Sequence, residues 1–356
     1  MGDLMTDTYT MRDLRTKCGD FMIPDFCIKI EGSKIQKSVF IDNVAIKLSA
    51  DAAGSLEFRI LNAYDIEERC FDKSIKNKVQ PGSKITAEIG YAGSLTQVFK
   101  GYIHSVHYEY TDVPEISVTA VDFVRLMQEN EVLNKAYKDA TPVDAFKEVM
   151  QFYQKICSSG DVKADASTQE KGLIIQKEND YTFVKNVLCA MDGKEFYVLN
   201  GKAYFIKVET KKSSLLDLEW GKDILSFSYE QQYLNKQIKV NLAEKEKTTG
   251  NEYKKKVEGK NQKTVLSKPV VQNISMKSEG TEAEAKLQLK KAEDDALRAS
   301  IRCSGTCIGL PQIVPGRALT IKNMDSSING TYEIVAVQHS IGTDGFTTQF
   351  ELGGKI

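Results

Sequence analysis

Two stretches of the chain carry the same punctuation, and no other feature constrains the fold as strongly. Residues 81–121 run through Pro81-Gly82, the alternating segment Lys84-Ile-Thr-Ala-Glu-Ile89, the turn Gly90-Tyr-Ala-Gly93, Gln97-Val-Phe-Lys-Gly-Tyr-Ile-His-Ser-Val-His107, and Glu115-Ile-Ser-Val-Thr-Ala-Val121. Residues 315–352 run through Pro315-Gly316, Ala318-Leu-Thr-Ile321, the turn Asn329-Gly330, Tyr332 to His339, the turn Gly342-Thr-Asp-Gly345, and Phe346-Thr-Thr-Gln-Phe-Glu-Leu352. Apolar–polar alternation at period 2 marks strands with one buried face. The echo predicts two copies of one β-barrel in a single chain.

Phe26-Cys-Ile-Lys-Ile30, Ala45-Ile-Lys-Leu48 and Leu56-Glu-Phe-Arg-Ile60 add strands to the first copy. Near residue 135 the texture changes. Thr141-Pro-Val-Asp144 combines a hydroxyl cap, a proline in the first turn and a carboxylate. It starts a helix with the apolar stripe Val143, Phe146, Met150, Tyr153 and Cys157. Asp180 is expected to cap a second helix, ended by Gly193. Glu195-Phe-Tyr-Val-Leu199 and Ala203-Tyr-Phe-Ile-Lys-Val208 flank Asn200-Gly201, a hairpin signal. Strand texture resumes at Ile224-Leu-Ser-Phe-Ser-Tyr229 and Lys236-Gln-Ile-Lys-Val240. Residues 244–268 hold eight lysines and four glutamates, which reads as a solvated loop or a protruding hairpin. Thr281-Glu-Ala-Glu284 reads as a capping box.

The expected fold class is α+β, mainly β, with two β-barrels around an α+β middle module. The boundaries read as an aperiodic N-terminal arm (1–19), a first barrel (20–134), the middle module (135–222) and a second barrel (223–356). The second barrel carries the lysine-rich loop 244–268 and a helix over 281–301.

The chain has 356 residues, beyond the size at which a single core keeps growing. Its 48 basic and 49 acidic residues leave no surplus for nucleic-acid binding. No apolar run reaches about 18 residues, so membrane insertion is not expected. The first residues lack the pattern of a secretory signal. Seven cysteines include no C-x-x-C, and histidine occurs only at His104, His107 and His339, so no metal site is expected.

His104 and His107, three apart on a strand, are expected on opposite faces. His339 reads as structural. There is no Gly-x-Ser-x-Gly, and no phosphate loop surrounds Gly305. Glu293-Asp-Asp295 reads as a solvated helix face, and Asn329-Gly-Thr331 as a turn. Trp220, the single tryptophan, suits either a domain-junction anchor or a ligand platform. No catalytic, cofactor-binding or metal-ligating residue is singled out, no cofactor is expected, and the chain is not expected to be an enzyme. Residues pointing away from the barrel cores are, in one choice of parity, Lys100, Tyr102, His104, Glu333, Val335 and Val337; the opposite parity fits the alternation as well.

Four stretches resemble the late-control D family, the central hub proteins of contractile phage tails. The same module begins the spike proteins of type VI secretion systems and occurs in tailocins. The first stretch is Val98-Phe-Lys-Gly-Tyr-Ile-His-Ser-Val with Ile116-Ser-Val-Thr-Ala-Val-Asp122. The second is Lys177-Glu-Asn-Asp-Tyr-Thr-Phe-Val-Lys-Asn-Val-Leu188, with Asn179 where the family often has serine. The third is the alanine-rich segment 283–299. The fourth and most specific is Gly309-Leu-Pro-Gln-Ile-Val-Pro-Gly316 with Asn329 to His339 and Gly345 to Leu352.

The resemblance implies that both barrels are tail-tube-like and that three chains form a pseudo-six-fold ring, joined where strand edges of neighbouring barrels pair or are covered. The ring would join a hexameric tail tube to a trimeric spike in the baseplate of a virion or injection particle, assembled in the bacterial cytoplasm. Implied partners are further copies of the chain (a homotrimer), the spike protein, the tail tube or a tube-initiator protein, baseplate wedge proteins and a tape measure protein. The chain reaches Ile356 without a needle or lysozyme domain, so the spike is expected as a separate polypeptide. Two other readings fit a β-rich chain: a carbohydrate-binding adhesin and a tail-associated cell-wall hydrolase.

Overall fold

The computed structural model describes residues 4–35, 39–208, 213–242, 251–259, 262–276 and 282–355. Strand makes up 49% and helix 20%, so the chain is mainly β, as the alternation implies. The region expected as an aperiodic arm carries a helix, α1 (Met11–Lys17). Thr10 caps it by accepting from the Asp13 amide, and Leu14 is buried. The first strand set comprises β1 (Pro24–Ile30), β2 (Ser33–Lys34), β3 (Phe40–Ser49), β4 (Ser55–Leu61), β5 (Tyr64–Asp65), β6 (Cys70–Phe71), β7 (Lys84–Tyr91), β8 (Ser94–Glu109) and β9 (Glu115–Val121), with α2 (Lys73–Lys78) between β6 and β7. Its core is built from alternate residues such as Leu56, Phe58 and Ile60 on β4 and Ile116, Val118 and Ala120 on β9.

The middle region has its own core, from Phe123 to Phe205. It contains α3 (Val124–Glu129), β10 (Lys135–Ala140), α4 (Pro142–Phe152), β11 (Val162–Ala164), β12 (Gly172–Gln176), α5 (Asp180–Thr182), a π-helical stretch (Phe183–Leu188), α6 (Cys189–Asp192), β13 (Lys194–Leu199) and β14 (Lys202–Lys207). Thr141 and Asp144 form the expected reciprocal cap of α4. Phe146 stacks on Phe205 with centroids 4.7 Å apart. The second helix is capped by Asn179, not by Asp180. Asp180 is buried and accepts from Tyr153 Oη (2.6 Å), Asn130 Nδ2 (2.7 Å) and Gln176 Nε2 (2.7 Å). A carboxylate whose acceptor sites are filled this way braces the core instead of opening a helix.

The remainder comprises β15 (Ser214–Glu219), β16 (Ile224–Gln231), β17 (Asn235–Leu242), β18 (Asn251–Glu258), β19 (Val270–Met276), α7 (Glu282–Ser300), β20 (Ile301–Ile308), β21 (Ala318–Lys322), β22 (Gly330–Gly342) and β23 (Gly345–Lys355). Part of the lysine-rich segment is strand, in keeping with the hairpin alternative. Its residues 251–258 form β18, which pairs with β17, while β19 pairs with β17 on the other side. Ile238 and Val257 of this sheet are buried in one small core with Leu234 and with Ala296 of α7. The proposed cap Thr281 lies outside the described residues.

One sheet runs through both barrel regions. Its strands follow the order β16-β20-β23-β22-β3-β4-β9-β8-β7-β1-β2, with β21 bonded to β22 and β15 to β21. The order β3-β4-β9-β8-β7-β1 is thus matched by β16-β20-β23-β22-β21-β15, except that β15 runs parallel to β21 whereas β1 runs antiparallel to β7. The match extends to single hydrogen bonds. Gly82 donates to the Ile103 carbonyl (2.8 Å), and Ile103 to that of Ser83 (2.9 Å). Gly316 donates to the Ile334 carbonyl (3.0 Å), and Ile334 to that of Arg317 (2.8 Å). The two units meet in an antiparallel seam of β22 with β3, from Ala336 opposite Ser49 to Ile341 opposite Val44.

A loop closes the junction from inside. Residues 309–317 are all buried, which is unusual for a connection. Val314 enters the first core, while Leu310 and Ile313 enter the second. The backbone is satisfied locally: Leu310 donates to Thr348 Oγ1 (2.8 Å), and Gly309 to the Phe346 carbonyl (2.9 Å).

Candidate functional site

The face of the sheet turned away from the two cores is lined mostly by polar side chains. One row crosses nine strands in register: Ser226, Thr306, Gln349, Gln338, Lys47, Ser55, Val121, Tyr102 and Lys84. Each alternates along its strand with buried neighbours such as Phe350, Val337, Leu48 and Leu56. Over β16, β20, β23, β22, β3 and β4 this face forms a groove of about 620 Å³ with Ser228, Ser304 and Glu351 in its wall. Opposite charges neutralise one another along it. Arg59 bridges Asp42 (2.7 Å) and Glu115 (3.3 Å), and Lys47 reaches Glu57 at 3.4 Å. Hydroxyls, amides and charged groups line this face together with apolar side chains such as Ala52, Ala336 and Phe227.

β-bulges decide which residues reach this face. His104 is the extra residue of a bulge between Ile103 and Ser105, so the parity of β8 inverts there. Lys100 and Tyr102 point to the polar face before the bulge, and Ser105 and His107 after it. Both His104 and His107 are exposed. A bulge between Ile334 and Ala336 does the same on β22. Ala336, Gln338 and Ser340 therefore face the groove side, and Val337 is buried in the core, against the parity chosen above.

His339 is fully enclosed, with Nδ1 3.0 Å from Thr348 Oγ1. Burial pushes its pKa down to about 3, against a weaker pull from the Ile313 backbone toward the charged form. Asn329 braces its turn by bonding the amide and the carbonyl of Met324. Trp220 is partly exposed at the end of β15, and its carbonyl accepts from Asn323 Nδ2 (2.9 Å).

A second concavity, of about 850 Å³, lies between α7, the middle region and β20, β22 and β23. Arg298 of α7 spans it, reaching Glu195 of β13 (3.3 Å) and Glu333 of β22 (3.1 Å). Lys185 donates to the carbonyls of Ala50 (2.9 Å) and Phe196 (3.2 Å) and pairs with Asp51 (3.0 Å). Glu293 pairs with Lys255 (3.4 Å), and Asp294 lines the cavity. The acidic run on α7 is therefore not simply a solvated face. These contacts tie three parts of the chain together, and no local pattern in the sequence announced them. Among the described residues no group of three or more His, Cys, Asp or Glu side chains is placed to hold a metal ion, and no helix is long and apolar enough to cross a membrane.

Residues 22–343 match the family described as the Alg8 N-terminal domain. No curated protein matches. Among solved structures, the chain resembles a tail protein from Neisseria meningitidis MC58 with a TM-score of 0.71 at 13% identity, over 93% of this chain and 96% of that one. It resembles the 43 kDa tail protein of prophage MuSo2 from Shewanella oneidensis with a TM-score of 0.71 at 14% identity, over 92% and 98%. An E. coli component of the type VI secretion system, described as similar to the T4 bacteriophage tail proteins gp27 and gp5, gives 0.58 at 11% identity, over 92% and 76%. At these identities the likeness is one of fold.

Proposed function

The chain belongs to the Alg8 N-terminal domain family, and we propose that it is the structural baseplate hub of a contractile injection machine, in the manner of late control protein D. One observation carries the proposal. A single chain presents two units with the same six-strand order, fused side by side into one sheet. Three such chains would supply six quasi-equivalent units. That number suits a six-fold tail tube on one side and a three-fold spike on the other, because a closed ring of three copies needs only one kind of heterologous interface. The fold shared with phage tail proteins and a type VI secretion component supports the same reading.

In this role the protein works mechanically and not as an enzyme. The polar groove side would line the lumen, and the Arg298 and Lys185 ties would keep the middle region fixed to the ring under load. The partners are the spike, the tail tube or its initiator, the wedge proteins of the baseplate and a tape measure protein, in the baseplate of a virion or injection particle. Light scattering on the full chain, alone and mixed with its cognate spike, tests this. A species of three times 39.8 kDa in either sample is expected. A monomer in both at high concentration would sink the proposal.

A further inference from the structure

We infer that the ring closes by an antiparallel pairing of β16 of one copy with residues 104–110 of β8 of the next, the intermolecular equivalent of the β22–β3 seam. This rests on the hub reading above. β22 uses its first residues, 330–333, to pair with β21, and 336–341 on the same side to pair with β3. β8 is its counterpart in the first unit. Residues 94–102 pair with β7, but beyond Ile103 only β9 pairs with it among the described residues. The side of β8 that corresponds to the seam on β22 is open. The counterpart of β3 in the second unit is β16, which among the described residues pairs only with β20, apart from a single bridge from Ile224 to Trp220.

Exposure follows the same logic. On the closed seam Val337, His339 and Ile341 of β22 and Val44, Ile46 and Leu48 of β3 are all buried. At the equivalent open positions Val106 and Tyr108 are half-buried and Tyr110 is 67% exposed, while Phe227 and Tyr229 are half-buried and Gln231 is exposed. Tyr108 and Tyr110 pack on Phe71 with ring centroids 5.3 Å apart, and Tyr110 also on Tyr64 at 5.8 Å; the surface these rings still expose at the strand edge gains by being covered. The edges also differ in protection. β16 contains neither lysine nor proline, the usual guards of a free edge. β1, at the far end of the sheet, begins with Pro24, has its Phe26 amide bonded to Asp25 Oδ1 (2.8 Å) and is covered by β2 at Lys29 and Ile30.

Transferring the register of the closed seam, with His104 matched to Val335 as the bulged residue, sets the pairs. Gln338 opposite Lys47 becomes His107 opposite Glu230, His339 opposite Ile46 becomes Tyr108 opposite Tyr229, and Ile341 opposite Val44 becomes Tyr110 opposite Phe227. A hydrogen-bonding pair thus falls on the polar face and two aromatic pairs on the core face, as the pleat requires.

The test is a cysteine pair. His107 and Glu230 are exposed, so His107→Cys and Glu230→Cys leave the fold intact. Residues directly opposite each other in an antiparallel pair lie within disulfide range. Mild oxidation of the double variant should give a covalent trimer, whereas each single variant stays uncrosslinked. The shifted pair His107→Cys with Ser228→Cys should link at least tenfold less. Linkage by Glu230→Cys alone would mean that β16 pairs with its own copy, and would overturn the inference. Light scattering of the reduced double variant, with and without spike, separates the two levels. A trimer that fails to link through 107 and 230 refutes this seam and leaves the hub standing. A monomer throughout refutes both.

Discussion

The Tyr91 hydroxyl donates to the Gly309 carbonyl at 3.0 Å, joining the end of β7 to the buried loop that enters both barrel cores. Tyr91 also packs against Phe346 with ring centroids 5.5 Å apart. Contacts between the two units therefore run inside the molecule as well as along the seam. Tyr91→Phe keeps the ring and removes the donor, leaving a buried carbonyl short of a partner. It should lower stability by about 1–3 kcal/mol, read as a lower urea midpoint at unchanged slope. An unmoved midpoint would show that the bond carries no weight.

Gly309 and Gly82 should tolerate a methyl group very differently. A Cβ on Gly309 would lie 2.0 Å from the Phe346 ring, whereas one on Gly82 meets nothing within 4 Å and is disfavoured only by φ of +89°. Gly82→Ala is expected to cost about 1–2 kcal/mol for the left-handed backbone. Gly309→Ala should cost at least about 3 kcal/mol or prevent folding, since a packed ring cannot yield that far. Thermal melts of the two variants side by side decide it, and equal losses would contradict the packing argument.

Arg317 is buried and donates to the carbonyls of Leu4 (2.7 Å) and Asp7 (2.7 Å). Tyr9 continues the attachment by donating to the Leu215 carbonyl (2.9 Å). Arg317→Met removes both donated bonds while keeping apolar bulk. Hydrogen exchange at the Tyr9 amide should then speed up at least tenfold, with core amides of β4 and β9 little changed. Uniform acceleration throughout would instead indicate global destabilisation.

Two buried groups give opposing pH dependences. Asp122 accepts from the amides of Gly54 (2.9 Å) and Val124 (2.9 Å), and burial raises its pKa from 3.8 to about 7. The folded state holds that proton more tightly, so its contribution is present below pH 4 and lost as pH rises toward 7. His339 falls from 6.5 to about 3, so its contribution is present above 6.5 and lost as pH falls toward 3. Each slope approaches about 1.4 kcal/mol per pH unit. Between about pH 4 and 6.5 they cancel. His339→Gln should uncover stability that declines with rising pH, and Asp122→Asn stability that increases. Urea titrations at four pH values read the slopes, and flat profiles in both variants would refute the assignment.

The strands of the two echoing stretches, the Thr141 cap and the Asn200-Gly201 hairpin could all be read locally, because each depends on residues a few positions apart. β20 was not read as a strand: its pattern, Ile301-Arg-Cys-Ser-Gly-Thr-Cys-Ile308, places a glycine where the Phe350 ring needs room. The lysines of β18 hid a strand because one face is solvated and the other meets the Glu293 carboxylate. Parity was beyond the sequence for a different reason. Alternation states that neighbours point to opposite sides, and one extra residue at His104 or Val335 inverts every side chain after it.

By itself, then, the sequence determined the mainly β class, the repetition and the chemistry of the turns, all consequences of short-range sterics and periodic burial. The tertiary structure alone decided that two repeated units share one sheet, that the loop 309–317 lies buried against it, and which strand edges remain open among the described residues. Those features depend on hydrogen bonds and packing between segments from opposite ends of the chain, such as Leu48 with Val337, and no local period encodes which partner an edge will meet.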